Sequence, residues 1–443
     1  MARHHRHLLR LLCLAVAATA ARAMFRFDFG DDWGGGGSYA RHDMWRRGAI
    51  ESKVRAKTNA AKLGEALGKG GGVDISAADV LVSPYGNLGH WVTVGIGTPP
   101  QPSKLIVDLG SALAWAQCKA IGGPTEETEE PIYDPGRSSS FAPLPCGGKE
   151  CGESFFTNKS CAGDRCTYEN NYGVMTTTGF LATETLTLGA KRPVAVSVPF
   201  GCGAVLNGST SGASGILGLS PAPLSLVTQL SIPKFSYCLT PFAAGKTSPL
   251  MFGAMADLGR YKTTGPVQST AILRNPVADI YYYVPLVGLS VGPKRLDVPP
   301  ASLALKPDGT GGTVVDSATT VANLAEPAFG ELKKAVQEAV RLPAAEEVVE
   351  GYEVCMDLPP GRAMRDVAAP PLRLHFEGGA EMAVPPENYF QEPLPGVMCL
   401  AVVRTADPAA PSVIGNVQQQ NMHVLFDLRD NKFSFAPTHC DQL

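Results

Sequence analysis

Between about residue 85 and the C-terminus, apolar residues come in short runs broken by Gly, Pro and Ser. Runs at 91–96, 105–107, 183–188 and 281–284 are rich in β-branched and aromatic residues, and they predict strands. One segment keeps helical spacing instead. Phe329, Leu332, Val336 and Val340 fall on one face of residues 326–340 and predict a helix there. The pattern as a whole implies a mostly β protein trimmed by a few helices.

The first 80 residues follow a different pattern. A basic start through Arg10 is followed by an apolar run at 11–21 and then Ala21-Arg22-Ala23. That order predicts a secretory signal at 1–23, cut after Ala23. A membrane anchor needs about 20 apolar residues, and neither this run nor any later one supplies them. Residues 24–80 contain a Gly-rich stretch at 34–38, a basic segment at 41–69 with Lys53, Arg55, Lys57 and Lys62, and three glycines at 70–72. A solvated spacer and a basic pro-segment covering an acidic cleft are both open readings of that composition.

Composition then narrows the class. Hydrophobic residues make up 44% of the 443 and charged residues 18%, enough to bury a large core and exclude wholesale disorder. The balance of 38 basic against 41 acidic side chains argues against a nucleic-acid partner. Of eleven cysteines, Cys13 leaves with the signal, so ten remain for an oxidising compartment, where disulfides are the default. Four-residue gaps within Cys146/Cys151 and Cys161/Cys166 also favour disulfides over a zinc site. Asn158 and Asn207 begin Asn-x-Ser triplets, acceptors for glycosylation in a secreted protein.

A weak internal repeat carries the chemistry. Residues 105–111, Leu-Ile-Val-Asp-Leu-Gly-Ser, have a counterpart at 313–319, Thr-Val-Val-Asp-Ser-Ala-Thr. Each is an apolar strand ending in Asp, then a turn, then a hydroxyl residue. Each has an apolar pair before glycine downstream, at 216–218 and 413–415. A lone Asp after a strand is ordinarily a turn residue. Two in duplicated surroundings imply two lobes, at 81–265 and 266–443, meeting at Asp108 and Asp316. Paired carboxyl groups cannot both ionise cheaply, so one serves as base and its protonated partner as acid; the aspartic protease dyad is the worked case for this logic.

With residues 97–101, 108–118, 179–186, 200–203, 215–219, 235–238, 311–320 and 414–420, the chain resembles the pepsin-like aspartic proteases, in particular their plant nepenthesin-like branch. The resemblance implies a bilobal pepsin-like fold with a peptide cleft between two β lobes. It makes Asp108 and Asp316 the catalytic pair, Ser111 and Thr319 the hydroxyls bonding the outer carboxylate oxygens, Tyr172-Gly173 the tip of a flap, and Trp115 the indole that holds the flap tyrosine. It implies acid-pH peptide hydrolysis by a secreted or vacuolar monomer made as a precursor, with no metal or cofactor.

The chain also departs from that pattern. Leu109 stands where the family has threonine, whose hydroxyl bonds across to the other lobe; the loss leaves partners unpaired at about 1–3 kcal/mol. Ala318 replaces a glycine, at about 1–2 kcal/mol if that position requires a left-handed backbone. Residues 173–176 read Gly-Val-Met-Thr where the flap ordinarily reads Gly-Asp-Gly-Ser. These changes give the rival reading its force: a catalytically impaired relative that binds glycoside hydrolases, like the branch's xylanase inhibitors. Matching cysteine positions to the family implies the pairs Cys146–Cys166, Cys151–Cys161, Cys238–Cys440 and Cys355–Cys399. Cys118 and Cys202 each lack a family partner; a direct bridge and two free thiols both stay open.

Overall fold

The structure is a computed structural model that describes residues 75–85, 89–119, 132–152, 156, 158–173, 175–210 and 212–443. The signal at 1–23 and the segment at 24–74 lie outside the described residues. Ile75, Ala78 and Val80, at the end of the expected pro-segment, are buried in the main core. Among the described residues no helix is long and apolar enough to cross a membrane.

The fold is mostly β and two-lobed, and the sequence repeat becomes a structural one. In the first half, strand Gln101–Asp108 runs parallel to Gly215–Gly218, with Asp108 opposite Gly218, and Ala114–Gln117 runs antiparallel to the same strand. In the second half, Thr313–Val315 runs parallel to Ser412–Ile414, and Ala322–Leu324 lies antiparallel to it. Glycine ends both apolar pairs because the chain folds back too closely for a side chain. A Cβ at Gly218 would sit 2.6 Å from the Ser111 carbonyl oxygen, and one at Gly415 2.9 Å from that of Thr319.

The largest sheet takes strands from both halves. Lys234–Cys238 pairs antiparallel with Met422–Asp427, and Phe235 stacks on Phe426 at 5.0 Å inside the shared core. Apolar burial across this seam helps hold the halves together. The expected helix forms over Ala328–Val340 and buries Phe329, Leu332 and Val336. It starts two residues late because Pro327 takes the non-helical cap position. The strand expected at 281–284 is shortened to Tyr282–Tyr283, just ahead of Pro285, which has no N–H to offer a ladder.

Five disulfides join the described cysteines. Cys238–Cys440 and Cys355–Cys399 are as expected. Cys118 and Cys202 do bridge, with Cα atoms 5.3 Å apart, because parallel pairing sets Ala116 beside Cys202. The expected Cys146–Cys166 and Cys151–Cys161 pairs are corrected: the structure joins Cys146 to Cys161 and Cys151 to Cys166. Cys161 and Cys166 lie opposite each other on the hairpin of Asn158–Ala162 and Arg165–Asn171, but at different depths. Cys166 is buried with Cys151 under Trp115 and Tyr168, whereas exposed Cys161 meets the surface loop carrying Cys146. Depth, which the cysteine spacing does not report, sorts the partners. The glycosylation candidates Asn158 and Asn207 are both exposed.

Candidate active site

Each half delivers its Asp from a parallel strand onto a tight turn, and both carboxyl groups are almost fully buried. The Asp108 carboxylate is cradled by its own turn. The Gly110 amide donates to Oδ1 at 2.7 Å, and the Ser111 hydroxyl donates to Oδ2. The Asp316 cradle repeats this arrangement, with the Ala318 amide on Oδ1 at 3.2 Å and the Thr319 hydroxyl on Oδ2 at 2.6 Å. Such bonds favour an ionised carboxylate. The two groups converge beside Gly110, where a Cβ would stand 3.2 Å from Asp108 Oδ1 and 3.6 Å from Asp316 Oδ2. The same point lies 3.2 Å from the Tyr281 ring, a wall residue that sequence reasoning missed.

The residues that the resemblance makes a flap lie beside this site. The hairpin of Arg165–Asn171 and Met175–Leu188 carries Tyr172 at its tip, and the Trp115 indole N–H donates to the Tyr172 hydroxyl at 2.8 Å. Gly173 takes a positive φ of 88° and donates its amide to the Asn171 side chain at 2.7 Å, which closes the turn. Burial, followed by the nearby Asp108 charge, pushes the Tyr172 phenol up to about 12, while bonds from Asn170, Ser111 and Trp115 oppose the rise. The hydroxyl therefore stays protonated throughout the acid and neutral range.

The two departures in the Asp motifs prove mild in place. Leu109 is wholly buried in the main core, where its side chain contributes about 2 kcal/mol, comparable to the bond that a hydroxyl would have made. Ala318 is not among the described residues with positive φ, so its turn does not need glycine, and its methyl packs against the cluster around Trp115 and Ile216. The cross-lobe link survives from one side only: the Ser317 hydroxyl donates to the Val107 carbonyl at 2.7 Å, just before Asp108.

Further support comes from the stretch at 414–420. The Gln419 amide donates to the carbonyls of Asp316, Ile414 and Gly415 at 2.9, 2.9 and 3.0 Å, and its oxygen accepts from Tyr237. The Asn416 amide donates to the Ser317 carbonyl at 2.8 Å. The polar run at 416–420 on a buried turn was the available signal, since buried amides need partners.

With this geometry in view, the known proteins divide in an informative way. Family models described as xylanase inhibitor N-terminal and xylanase inhibitor C-terminal match residues 90–254 and 281–437. The aspartic proteinase nepenthesin-1 of Nepenthes gracilis is 35% identical over 368 residues, covering 82% of this chain and 80% of the relative. Aspartyl protease 37 of Oryza sativa subsp. japonica is 32% identical over 475 residues, covering 98% and 99%. The chain belongs to the plant pepsin-like aspartic protease family. Among solved structures, edgp aligns at TM-score 0.64 with 20% identity over 83% of this chain and 96% of its own. Soybean basic 7S globulin aligns at 0.63 with 19% identity over 82% and 95%. At such identities these two attest the fold alone, which this protease-family chain shares with them.

Proposed function

We propose that the protein is an aspartic endopeptidase acting at acidic pH. The observation that carries this reading is the convergence of Asp108 and Asp316 beside Gly110, each with an amide on one oxygen and a hydroxyl on the other. In the reaction, the ionised carboxylate takes a proton from a water between the pair while the protonated carboxyl donates to the scissile carbonyl oxygen. The hydroxide adds to the carbonyl carbon and gives a tetrahedral diol. Return of a proton to the amide nitrogen breaks the C–N bond and releases acid and amine. Tyr172, held by Trp115, closes over an extended peptide together with Gly173. Secretion behind the signal at 1–23, into the apoplast or vacuole, and synthesis as a precursor belong to the same proposal. Release of a pro-segment would fall ahead of Ile75, because Ile75, Ala78 and Val80 are packed in the core.

A second reading, a binding protein for glycoside hydrolases, draws on Leu109, Ala318 and the inhibitor-named family models. One experiment separates the two. The purified protein is incubated at acidic pH with an unfolded protein, with and without a statine-type peptide inhibitor. Statine-sensitive fragments are expected; an intact substrate at every pH sinks the peptidase reading and moves the binding reading ahead.

A further inference from the structure

Behind the second Asp turn, a buried histidine joins the two halves of the chain. His90, on strand Gly89–Ile96, is 1% exposed. Its Nε2 lies 2.9 Å from the Thr240 carbonyl and its Nδ1 lies 3.0 Å from the Asn416 side-chain amide. Its ring stacks on Phe242 at 5.4 Å. The same Asn416 amide group donates to the Ser317 carbonyl, and the Ser317 hydroxyl crosses to Val107. A continuous path therefore runs from Thr240 through His90, Asn416 and Ser317 to the residue preceding Asp108.

The chemistry of the partners fixes every proton on this path. A carbonyl only accepts, so Thr240 requires the ring proton on Nε2, which leaves Nδ1 as an acceptor. The Ser317 carbonyl likewise requires the Asn416 NH₂ to face it, and the Asn416 oxygen is used by Gln420 at 3.3 Å. Turning the amide over would set oxygen against the Ser317 oxygen. Adding a proton to Nδ1 would set N–H against N–H. The network is satisfied only by a neutral imidazole in a single tautomer.

We propose that His90 is a positioning residue for the Asp pair. Through its neutral Nδ1 it holds Asn416, and through Asn416 the Ser317 turn, supplying across the halves the support that Leu109 cannot give. This rests on the peptidase reading. Among the described residues, the groups bonded to or stacked on the ring are neutral: the Thr240 carbonyl, the Asn416 amide and the Phe242 ring. The nearest titratable group along the bonded path is Asp316. Burial holds the imidazole down at about 4, against hydrogen bonds that oppose the fall. Protonation below that pH breaks the path and loosens the second Asp turn, which sets an acid limit on catalysis separate from that of the carboxyl pair.

The test combines a spectrum with kinetics. Nitrogen-detected NMR of the imidazole is expected to show the Nε2–H tautomer and a midpoint near 4; an Nδ1–H tautomer or an unperturbed midpoint overturns the proposal. His90→Phe removes the acceptor and should lower kcat on a peptide substrate about tenfold with KM little changed. His90→Asn keeps an acceptor beside Asn416 and cannot titrate, so it should restore kcat and remove the acid limb near 4. Parental kcat in His90→Phe, or no restoration by His90→Asn, also overturns it. A parent protein inactive at every pH sinks the peptidase reading instead, and the tautomer and midpoint then decide the tie on their own.

Discussion

The two Asp turns have the same job and solve it with different residues. At the first, Asp108-Leu109-Gly110-Ser111, the second position is apolar and sunk in the core, and a side chain at the third would press on Asp108 and Tyr281. At the second, Asp316-Ser317-Ala318-Thr319, the second position reaches across the lobes and the third carries a methyl packed on the opposite half. What both keep is an amide on one carboxylate oxygen and a hydroxyl on the other. The comparison teaches that the cradle belongs to the backbone turn and its fourth residue, while the middle positions are free to trade hydrogen bonding for packing.

The largest expected effect removes the acids themselves. Asp108→Asn and Asp316→Asn each preserve size and should lower peptide hydrolysis by at least about a thousandfold, because an amide cannot pass the proton. Circular dichroism and secretion should match the parent. If one variant kept parental rates, the two turns would not be equivalent halves of one site.

Next comes the third position of the first turn. Gly110→Ala would press a methyl to 3.2 Å from both Asp108 Oδ1 and the Tyr281 ring. The carboxylate is pinned by Gly110 and Ser111 and cannot yield without losing them. Displacement of a positioned group by a few tenths of an ångström to one ångström predicts a fall in kcat of about a hundredfold. Unchanged kcat would show that the first turn has slack that its contacts deny.

Much of this site was legible in the chain. Asp108, Ser111, Asp316 and Thr319 lie within four residues of each other in each copy, and Trp115 and Tyr172 sit in recognisable segments, so local pattern sufficed. The supporting bonds were not legible. Ser317 meets Val107 across 210 positions and His90 meets Asn416 across 326, so each depends on how two distant strands register. The cysteines failed for the same reason: Cys161 and Cys166 share a hairpin, and only their depth decides which partner each takes. The cost foreseen at Leu109 was likewise read without knowing that the core would absorb its side chain.

Folding stability should respond to pH through two buried histidines, His90 behind the second turn and His423 beside Ser236 on the seam between the halves. His90 and His423 are both buried and held at about 4 by desolvation, below the ordinary 6.5 they regain on unfolding. Between those values the unfolded chain binds more protons than the folded one, so stability is full above about 6.5 and falls as pH drops toward 4. The loss approaches about 3 kcal/mol for each histidine by pH 4 and levels off within about one pH unit below it. Thermal melting from pH 7 to 4 should show the decline, and His90→Asn should remove the His90 share. A flat profile would mean that the folded rings take up protons as readily as the unfolded ones, contrary to the Asn416 donor facing His90 Nδ1.

The smallest expected effect is at the third position of the second turn. Ala318→Gly restores the residue that the family pattern carries, so a reading in which the methyl silenced the site predicts a large gain in rate. The geometry predicts otherwise. Ala318 needs no left-handed backbone, its amide already reaches Asp316, and its methyl packs against the cluster that also contains Trp115. Removing that methyl forfeits apolar contact and frees the turn, at about 0.5–1 kcal/mol of stability. Melting temperature should fall by only about one degree, while kcat should stay within about threefold of the parent because the cradle bonds are untouched. A tenfold rise in kcat would break the comparison at its root: the two turns would then share a need for glycine, and the methyl at the second would be damage that packing conceals.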